Sequence, residues 1–376
     1  MRIAVTGASG LVGSHVVEAA MHRGHQVKVL VRSTSDTAFL RGLGAELVFG
    51  DLHDPGALAR LCVDAEVLVN CAARVGDWGP LNDFRRDNVD GLGVLLDEAS
   101  RAHVRRIIHI SSLGVYDARD HHGTDEDVLP AIHSLDAYTR SKTEAEVLLL
   151  SYAASANGRK ACAVYGGREV MLPHVERILA ASKLLPAQRI KEVVVLRPGF
   201  IYGRRDRTVL PKLLGALRRK QFVFFGDGRQ AMNAIHVNHL VQAVFRSIDS
   251  DGAAGHVFNL TDGANVSKRD FVTEVAQAAG LEVPVRSIPL GLARILATLV
   301  HDLAAGLGAS KPPLINKARF KFLGLHLDYS VEKARRVLGY QPDPDWRVSL
   351  RDAVQHVSGV EPRAQPGNTT GLTEPS

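Results

Sequence analysis

The first twenty-three residues constrain this chain more than any other stretch. An apolar run, Ile3-Ala4-Val5, leads into Thr6-Gly7-Ala8-Ser9-Gly10-Leu11-Val12-Gly13, and residues 12–23 then put Val12, Val16, Val17 and Ala20 on one helical face. A buried strand therefore turns through three glycines into an amphipathic helix. Glycine permits the sharp turn and lets backbone N–H groups approach a pyrophosphate, and the helix N-terminus adds partial positive charge. With both flanks in place, Gly7, Ser9, Gly10, Leu11, Val12 and Gly13 form a candidate cradle for a dinucleotide.

One such unit needs parallel neighbours, and the sequence supplies them. Strand-like segments recur at 27–31, 46–49, 67–70 and 106–111, with helical patterns at 84–102 and 138–154. Strand, helix, strand with short connections implies an α/β fold: a doubly wound parallel sheet, the Rossmann arrangement, covered on both faces. After about residue 200 the pattern loosens into helices at 210–219, 239–247, 268–279 and 332–338, separated by Gly- and Pro-rich turns. The expected organisation is a nucleotide-binding domain over 1–200 and a smaller mixed substrate lobe over 201–358, interleaved with the sheet. A tail over 359–376, rich in Pro, Gly, Thr and Ser, is expected to be disordered.

Composition excludes other classes. At 45% apolar and 23% charged, the 376 residues can bury a core and are neither a disordered chain nor a coiled coil. Three Cys without paired spacing exclude a disulfide scaffold and a Cys-rich zinc site. His121, His122, Asp125 and Asp127 share one polar loop with no second cluster, so no metal is expected. The net charge of +6 permits an anionic ligand, an acidic membrane or nucleic acid. The basic run Arg204, Arg205, Arg207, Lys212, Arg218, Arg219 and Lys220 has no interleaved aromatics, which argues against nucleic acid. With no basic-then-apolar leader and no run of eighteen apolar residues, a cytoplasmic setting is expected.

Two further features carry chemistry. The second strand ends in Val31-Arg32-Ser33-Thr34 with no acid before Asp36, so Arg32 suits a 2′-phosphate better than a ribose hydroxyl. Asp51, after the third strand, could accept from an adenine amino group or cap a turn. Tyr138 and Lys142 stand four apart on a helix and share a face. A nearby ammonium stabilises a phenolate and lowers its pKa from ~10, making Tyr138 a usable acid or base. Ser111 and Ser112 end the strand 106–111, where ligands meet an open parallel sheet.

In this combination the chain resembles the extended short-chain dehydrogenases/reductases over residues 1 to about 355. The resemblance rests on the Gly loop, Gly50-Asp51-Leu52, Asn70-Cys71-Ala72-Ala73, Asn88-Val89-Asp90-Gly91, Ile110-Ser111-Ser112, Tyr138/Lys142 and Leu196-Arg197-Pro198-Gly199. Val75-Gly76-Asp77-Trp78-Gly79-Pro80 and Leu338-Gly339-Tyr340-Gln341-Pro342 resemble the 3β-hydroxysteroid dehydrogenase branch. The resemblance implies NADP or NAD as cofactor, with Leu52, Ala72, Asn88, Arg197 and Pro198 joining the Gly loop, Arg32, Asp51, Tyr138 and Lys142 around it. It implies Tyr138 as proton carrier and Lys142 as ribose holder. It selects Ser112, four before Tyr116 in the pair Val115-Tyr116, as the catalytic serine. A hydrophobic alcohol or ketone, sterol-like or a 2-alkyl-3-oxoacid, is the implied substrate, and a homodimer is compatible with it. A nucleotide-sugar epimerase or dehydratase is the rival enzyme, and a cofactor-sensing regulator the rival from outside enzymes.

Three features depart from this pattern or add to it. Lys142 and Arg197 lie 55 positions apart, and the surplus near 158–191 reads as an inserted lid, an extra surface helix or a faulty gene model. His236-Val237-Asn238-His239 lacks the acid often found after His-Val. Leu292, Ile295, Leu296, Leu299, Val300, Leu303 and Leu307 recur at helical spacing, either to pack a helix on the second lobe or to form an apolar rim resting on a membrane surface.

Overall fold

The computed structural model describes residues 1–359, save Leu135, Gly308, Ser310 and Pro344. The expected disordered tail, past Gly359, lies outside the described residues. Seven strands form the main sheet: β1 (Arg2–Thr6), β2 (Gln26–Val31), β3 (Glu46–Phe49), β4 (Val67–Asn70), β5 (Arg106–Ile110), β6 (Glu192–Pro198) and β7 (Val257–Leu260). Their spatial order is β7-β6-β5-β4-β1-β2-β3, every pair parallel. The chain runs outward from β1 to β3, then returns to the other side of β1 with β4. The β1/β4 boundary is thus the switch point outside which ligands bind in such sheets.

Helices cover both faces. In chain order these are α1 (Leu11–His22), α2 (Pro55–Cys62), α3 (Gly91–Arg101), α4 (Ala137–Ala156), α5 (Pro173–Ala181), α6 (Val209–Arg218), α7 (Val237–Asp249), α8 (Lys268–Ala278), α9 (Leu290–Gly306), α10 (Lys317–Gly324), α11 (Glu332–Leu338) and α12 (Trp346–Ser358). Strand side chains alternate between the faces. Ala4, Leu68, Ile107 and Val193 pack with Leu58, Leu95 and Leu148 of α2, α3 and α4. Ile3, Val5, Val69 and Ile108 pack with Val16, Leu240 and Leu338 of α1, α7 and α11. The late helices α7 and α11 therefore complete the first half's core.

The helix expected over 84–102 is interrupted. An α-turn at Leu81–Arg85 passes into a π-turn at Arg86–Asp90 before α3. Asn88 sits in that π-turn, a distortion that frequently marks functional sites. The 158–191 surplus is a hairpin, Ala163–Tyr165 against Arg168–Val170, followed by α5. Tyr165, Leu172, Val175 and Leu179 are buried in the same core as α3 and α4, so the segment is part of the packing and not a lid. Arg189 fastens its end, donating to Leu179 O at 3.1 Å and Ser155 Oγ at 3.0 Å.

The second lobe has two apolar centres. Leu210, Leu214, Phe271, Val275, Trp346 and Leu350 join α6, α8 and α12. Ala293, Ala297 and Phe320 of α9 and α10 pack with Leu113 and Val115, directly behind Ser112. Four of the seven cations in the basic run are matched by acids: Arg204 with Asp352, Arg205 with Glu18, Arg207 with Asp36 and Lys220 with Glu282. Arg205 also donates to Ser14 Oγ at 3.2 Å, strapping the lobe to α1.

Candidate active site

The Gly loop is shaped by its neighbours. Gly7 has φ +65°, and a Cβ there would lie 2.7 Å from Ala72 N. A Cβ at Gly13 would lie 2.3 Å from Gly7 O. Both positions exclude a side chain because backbone segments touch there. Gly10 differs: a Cβ would meet only Gly7 O, at 3.2 Å, and the residue is exposed. It opens α1 with no side-chain cap, so the first-turn N–H groups of Leu11, Val12 and Gly13 have no partner within the helix. The residues present therefore fit a pyrophosphate. At the switch point Thr6 Oγ1 donates to Asn70 Oδ1 at 2.5 Å and accepts from Ala72 N at 3.2 Å, which fixes the mouth of the crevice.

Other expected cofactor positions surround this mouth. Arg32, Ser33 and Thr34 are exposed at the end of β2, while Asp36 faces Arg207. Asp51 accepts from His53 N at 2.8 Å, the turn-capping alternative. Leu52 packs against Gly91, whose added Cβ would lie 2.8 Å from Leu52 Cβ. Asn88 holds the 71–74 loop through both amide atoms: Arg74 N donates to its Oδ1 at 2.6 Å, and its Nδ2 donates to Arg74 O at 3.1 Å. Nδ2 also reaches Ser141 Oγ at 2.9 Å, tying the loop to α4.

The acid–base residues converge where β5 ends. Asp136 caps α4 by accepting from Thr139 N at 2.6 Å, which starts the helix just before Tyr138. Lys142, one turn on, is buried and donates to Ile110 O at 2.6 Å. Ser112 Oγ accepts from Gly114 N at 2.9 Å, which leaves its O–H to donate, and Tyr138 lies alongside: a Cβ added at Gly114 would meet Ser112 Oγ at 3.1 Å and Tyr138 Cε1 at 3.7 Å. Ser111 points elsewhere, its hydroxyl donating to buried Glu146. Phe84 meets Tyr138 edge-on at 6.4 Å.

The sequence profile of the NAD dependent epimerase/dehydratase family matches residues 3–261. The chain belongs to that family. It is 30% identical over 90% of its length to a 4-hydroxy-2-methyl-3-oxo-4-farnesyl-3,4-dihydroquinoline-1-oxide ketoreductase of Stigmatella aurantiaca, of which it covers 92%. It is 25% identical to a decarboxylating sterol-4-alpha-carboxylate 3-dehydrogenase of Dictyostelium discoideum, over 89% of this chain and 94% of that one. The crystal structure of gox2253 superposes with a TM-score of 0.72 at 26% identity, covering 96% of this chain and 98% of that one. The protein is an enzyme, an oxidoreductase of CH–OH groups that uses a nicotinamide dinucleotide.

Within this family member, burial sets the electrostatics. It pushes the Tyr138 phenol above its ordinary range; the neighbouring Ser112 hydroxyl opposes the rise and the Asp136 carboxylate adds to it. Burial lowers Lys142 to about 8, with Glu146 and Cys71 opposing. Lys142 itself is held by its hydrogen bond to Ile110 O, at the end of β5. Cys71 is raised to about 12 by burial, which makes it a poor nucleophile.

Arg197 corrects an expectation. Its side chain is fully buried, with Nη2 2.6 Å from Glu146 Oε2 and Nη1 2.8 Å from the Tyr116 hydroxyl. The guanidinium is held under the site, so any contact with a dinucleotide at Arg197-Pro198 falls to the backbone. Glu146 escaped the sequence reading although its signal was there: Tyr138, Lys142 and Glu146 repeat at four-residue intervals on one face. Asp262 supplies the acid missing from the His236-Val237-Asn238-His239 segment, lying 2.7 Å from His239 Nδ1 and accepting from His236 N at 2.8 Å. Lys321 had no local signal. Its buried ammonium donates to Gly114 O at 2.7 Å and Tyr116 O at 2.6 Å, bracing the turn that carries Ser112.

Proposed function

We propose that this enzyme interconverts a secondary alcohol and a ketone on a hydrophobic substrate, a 3β-hydroxysterol being the leading candidate. The observation that carries the reading is the convergence of Ser112 and Tyr138 around Gly114 with buried Lys142 beside them, at the open end of β5. Ser112 holds the substrate oxygen, and Tyr138 takes its proton in oxidation or returns it in reduction. Lys142 anchors the ribose. The bound nicotinamide dinucleotide supplies the hydride acceptor or donor. Exposed Arg32, with no acid at the end of β2, supports NADP or dual use.

The two relatives described above share a ketone or alcohol on a large apolar skeleton, by their names. If the sterol carries a 4-carboxylate, oxidation at C3 yields a β-keto acid. That acid loses CO₂ without a dedicated decarboxylating side chain. The ketoreductase relative favours reduction over oxidation, and a 2-alkyl-3-oxoalkanoate reductase of Stenotrophomonas maltophilia, 26% identical over 93% of this chain, favours a second reading in which the substrate is a 2-alkyl-3-oxoacid. The test is a screen of sterols, 3-oxoacids and nucleotide sugars with each cofactor, followed by the absorbance of the reduced nicotinamide. Turnover of sugar nucleotides alone, without net absorbance change, would replace this reading with epimerisation.

A further inference from the structure

Helix α9 inverts the usual arrangement of a lobe helix. Its buried face consists of Ala293 and Ala297, 0% and 1% exposed, packed by Phe320 of α10. Beside that face Leu292, Ile295, Leu299 and Leu303 are 47%, 57%, 63% and 66% exposed. At 3.6 residues per turn these four fall in one stripe, which Leu307 extends. Single exposed leucines need no explanation, but a contiguous stripe marks a contact surface.

Charge identifies the partner. From residue 285 to 324 the cations are Arg286, Arg294, Lys311, Lys317, Arg319 and Lys321, against the single acid Asp302; Lys317 pairs with Asp302, Arg319 with Asp77, and Lys321 holds the Ser112 turn, which leaves Arg286, Arg294 and Lys311 for a partner. Arg286, Arg294 and Lys311 are exposed. An exposed apolar stripe on a segment that also presents exposed cations is the pattern of a helix lying in the headgroup layer of an anionic bilayer. A second copy of this chain fits less well, because a two-fold contact across α9 would set this cation excess against itself. Among the described residues no helix is long and apolar enough to cross a membrane, so the contact is peripheral.

We infer that α9 seats the enzyme on an anionic lipid surface through the Leu292–Ile295–Leu299–Leu303 stripe. The seat is joined to the chemistry. Trp78 donates to Ala309 O at 2.7 Å and meets His301 of α9 edge-on at 5.2 Å. Its loop lies on Phe84, which packs against Tyr138. On the reading of a hydrophobic substrate, a lipid-dissolved molecule entering along this path reaches Tyr138 without crossing bulk water.

The test is sedimentation of the full chain with vesicles, with no substrate present, so it stands or falls separately from the redox reading. Phosphatidylglycerol-containing vesicles should bring down the wild type, and added salt should release it. Leu299→Asp with Leu303→Asp should weaken partitioning at least ~10-fold, with NADP(H) binding and the melting temperature unchanged. Arg294→Glu with Lys311→Glu should abolish the preference for anionic over zwitterionic vesicles. The inference is overturned if the wild type ignores anionic vesicles at low salt, or if both double variants bind as the wild type does. It is equally overturned if the wild type is a dimer that ignores vesicles and Leu299→Asp with Leu303→Asp makes it monomeric, since a second copy then covers the stripe.

Discussion

Lys142 and Lys321 approach one catalytic turn from opposite halves of the molecule. Lys142, from α4 of the sheet domain, donates to Ile110 O just before Ser111; Lys321, from α10 of the second lobe, donates to Gly114 O and Tyr116 O just after Ser112. Burial lowers both to about 8. They differ in how they are placed. Lys142 is fixed by one turn of helix from Tyr138, whereas Lys321 arrives through the packing of Phe320 and Ala293 on Leu113. One half of the site is therefore built by local geometry and the other by docking of a lobe. The first should govern chemistry, and the second the position of the serine.

The largest effect belongs to the local half. Tyr138→Phe removes the proton and keeps the ring, so turnover should fall about 10²–10⁴-fold while NADP(H) binding persists. Single-turnover absorbance and cofactor titration check this, and a variant keeping more than about a third of wild-type turnover would remove Tyr138 from the reaction.

Next come the two lysines, compared directly. Lys142→Met should lower both turnover and cofactor affinity, since it borders both. Lys321→Met leaves Tyr116 O without its donor and Gly114 O with the Thr139 hydroxyl alone, costing roughly 1–3 kcal/mol of stability, and loosens the Ser112 turn. Its turnover should fall with cofactor affinity kept. Paired titrations and denaturant curves would separate them; equal loss of cofactor affinity in both variants would break the distinction between the halves.

A smaller effect tests the nucleotide edge. Arg32→Ala should weaken NADP(H) by about 1.5–3 kcal/mol, the range for a hydrogen bond to a charged group, and leave NAD(H) nearly unaffected. Equal weakening of both by calorimetry would show that Arg32 does not read the 2′-phosphate.

The same division explains what could be read from the sequence. The strands at 46–49 and 67–70 appear with the expected bounds because each is a short apolar run between turn residues. The Gly loop and the Tyr138/Lys142 pair were legible because their partners lie within one crossover or one helical turn. Arg197 was placed near the cofactor by its motif, but its side chain turns to Glu146, which only the packing of α4 on β6 determines. The hairpin and α5 were legible only as excess length, because their apolar residues face a helix surface that the sequence does not display. On α9 the apolar spacing was evident, yet the leucines face out and the alanines in, a choice set by the close approach of α10. Asp262 and Lys321 act across the lobes and left no local trace.

The smallest expected effect concerns pH and adds a third lysine. Lys268 of α8, lowered to about 7 chiefly by burial, donates to Ala231 O at 2.9 Å and to Leu325 O, away from the Ser112 turn. A lysine whose folded pKa lies below its unfolded value, ~10.4, is protonated less in the folded chain than in the unfolded one. Between those two values the unfolded state binds more protons, so stability rises with pH. The window opens near the folded values, about 7 for Lys268 and about 8 for Lys142 and Lys321. It narrows from ~8.5, where thiols in the unfolded chain begin to ionise while burial holds Cys62 and Cys71 up to about 12, and it closes by ~10, where unfolded tyrosines ionise too, since burial holds Tyr138, Tyr165 and Tyr340 above the ordinary phenol range. Each lysine contributes at most ~1.4 kcal/mol per pH unit. Denaturant unfolding at several pH values across this window should show the rise, and Lys268→Met should reduce its slope while leaving the pH profile of turnover unchanged. Lys321→Met should change both slope and profile if the lobe positions Ser112. A slope that falls with pH, or a turnover profile moved by Lys268→Met, would mean that the buried lysines are not divided between folding and chemistry as their carbonyl partners divide them.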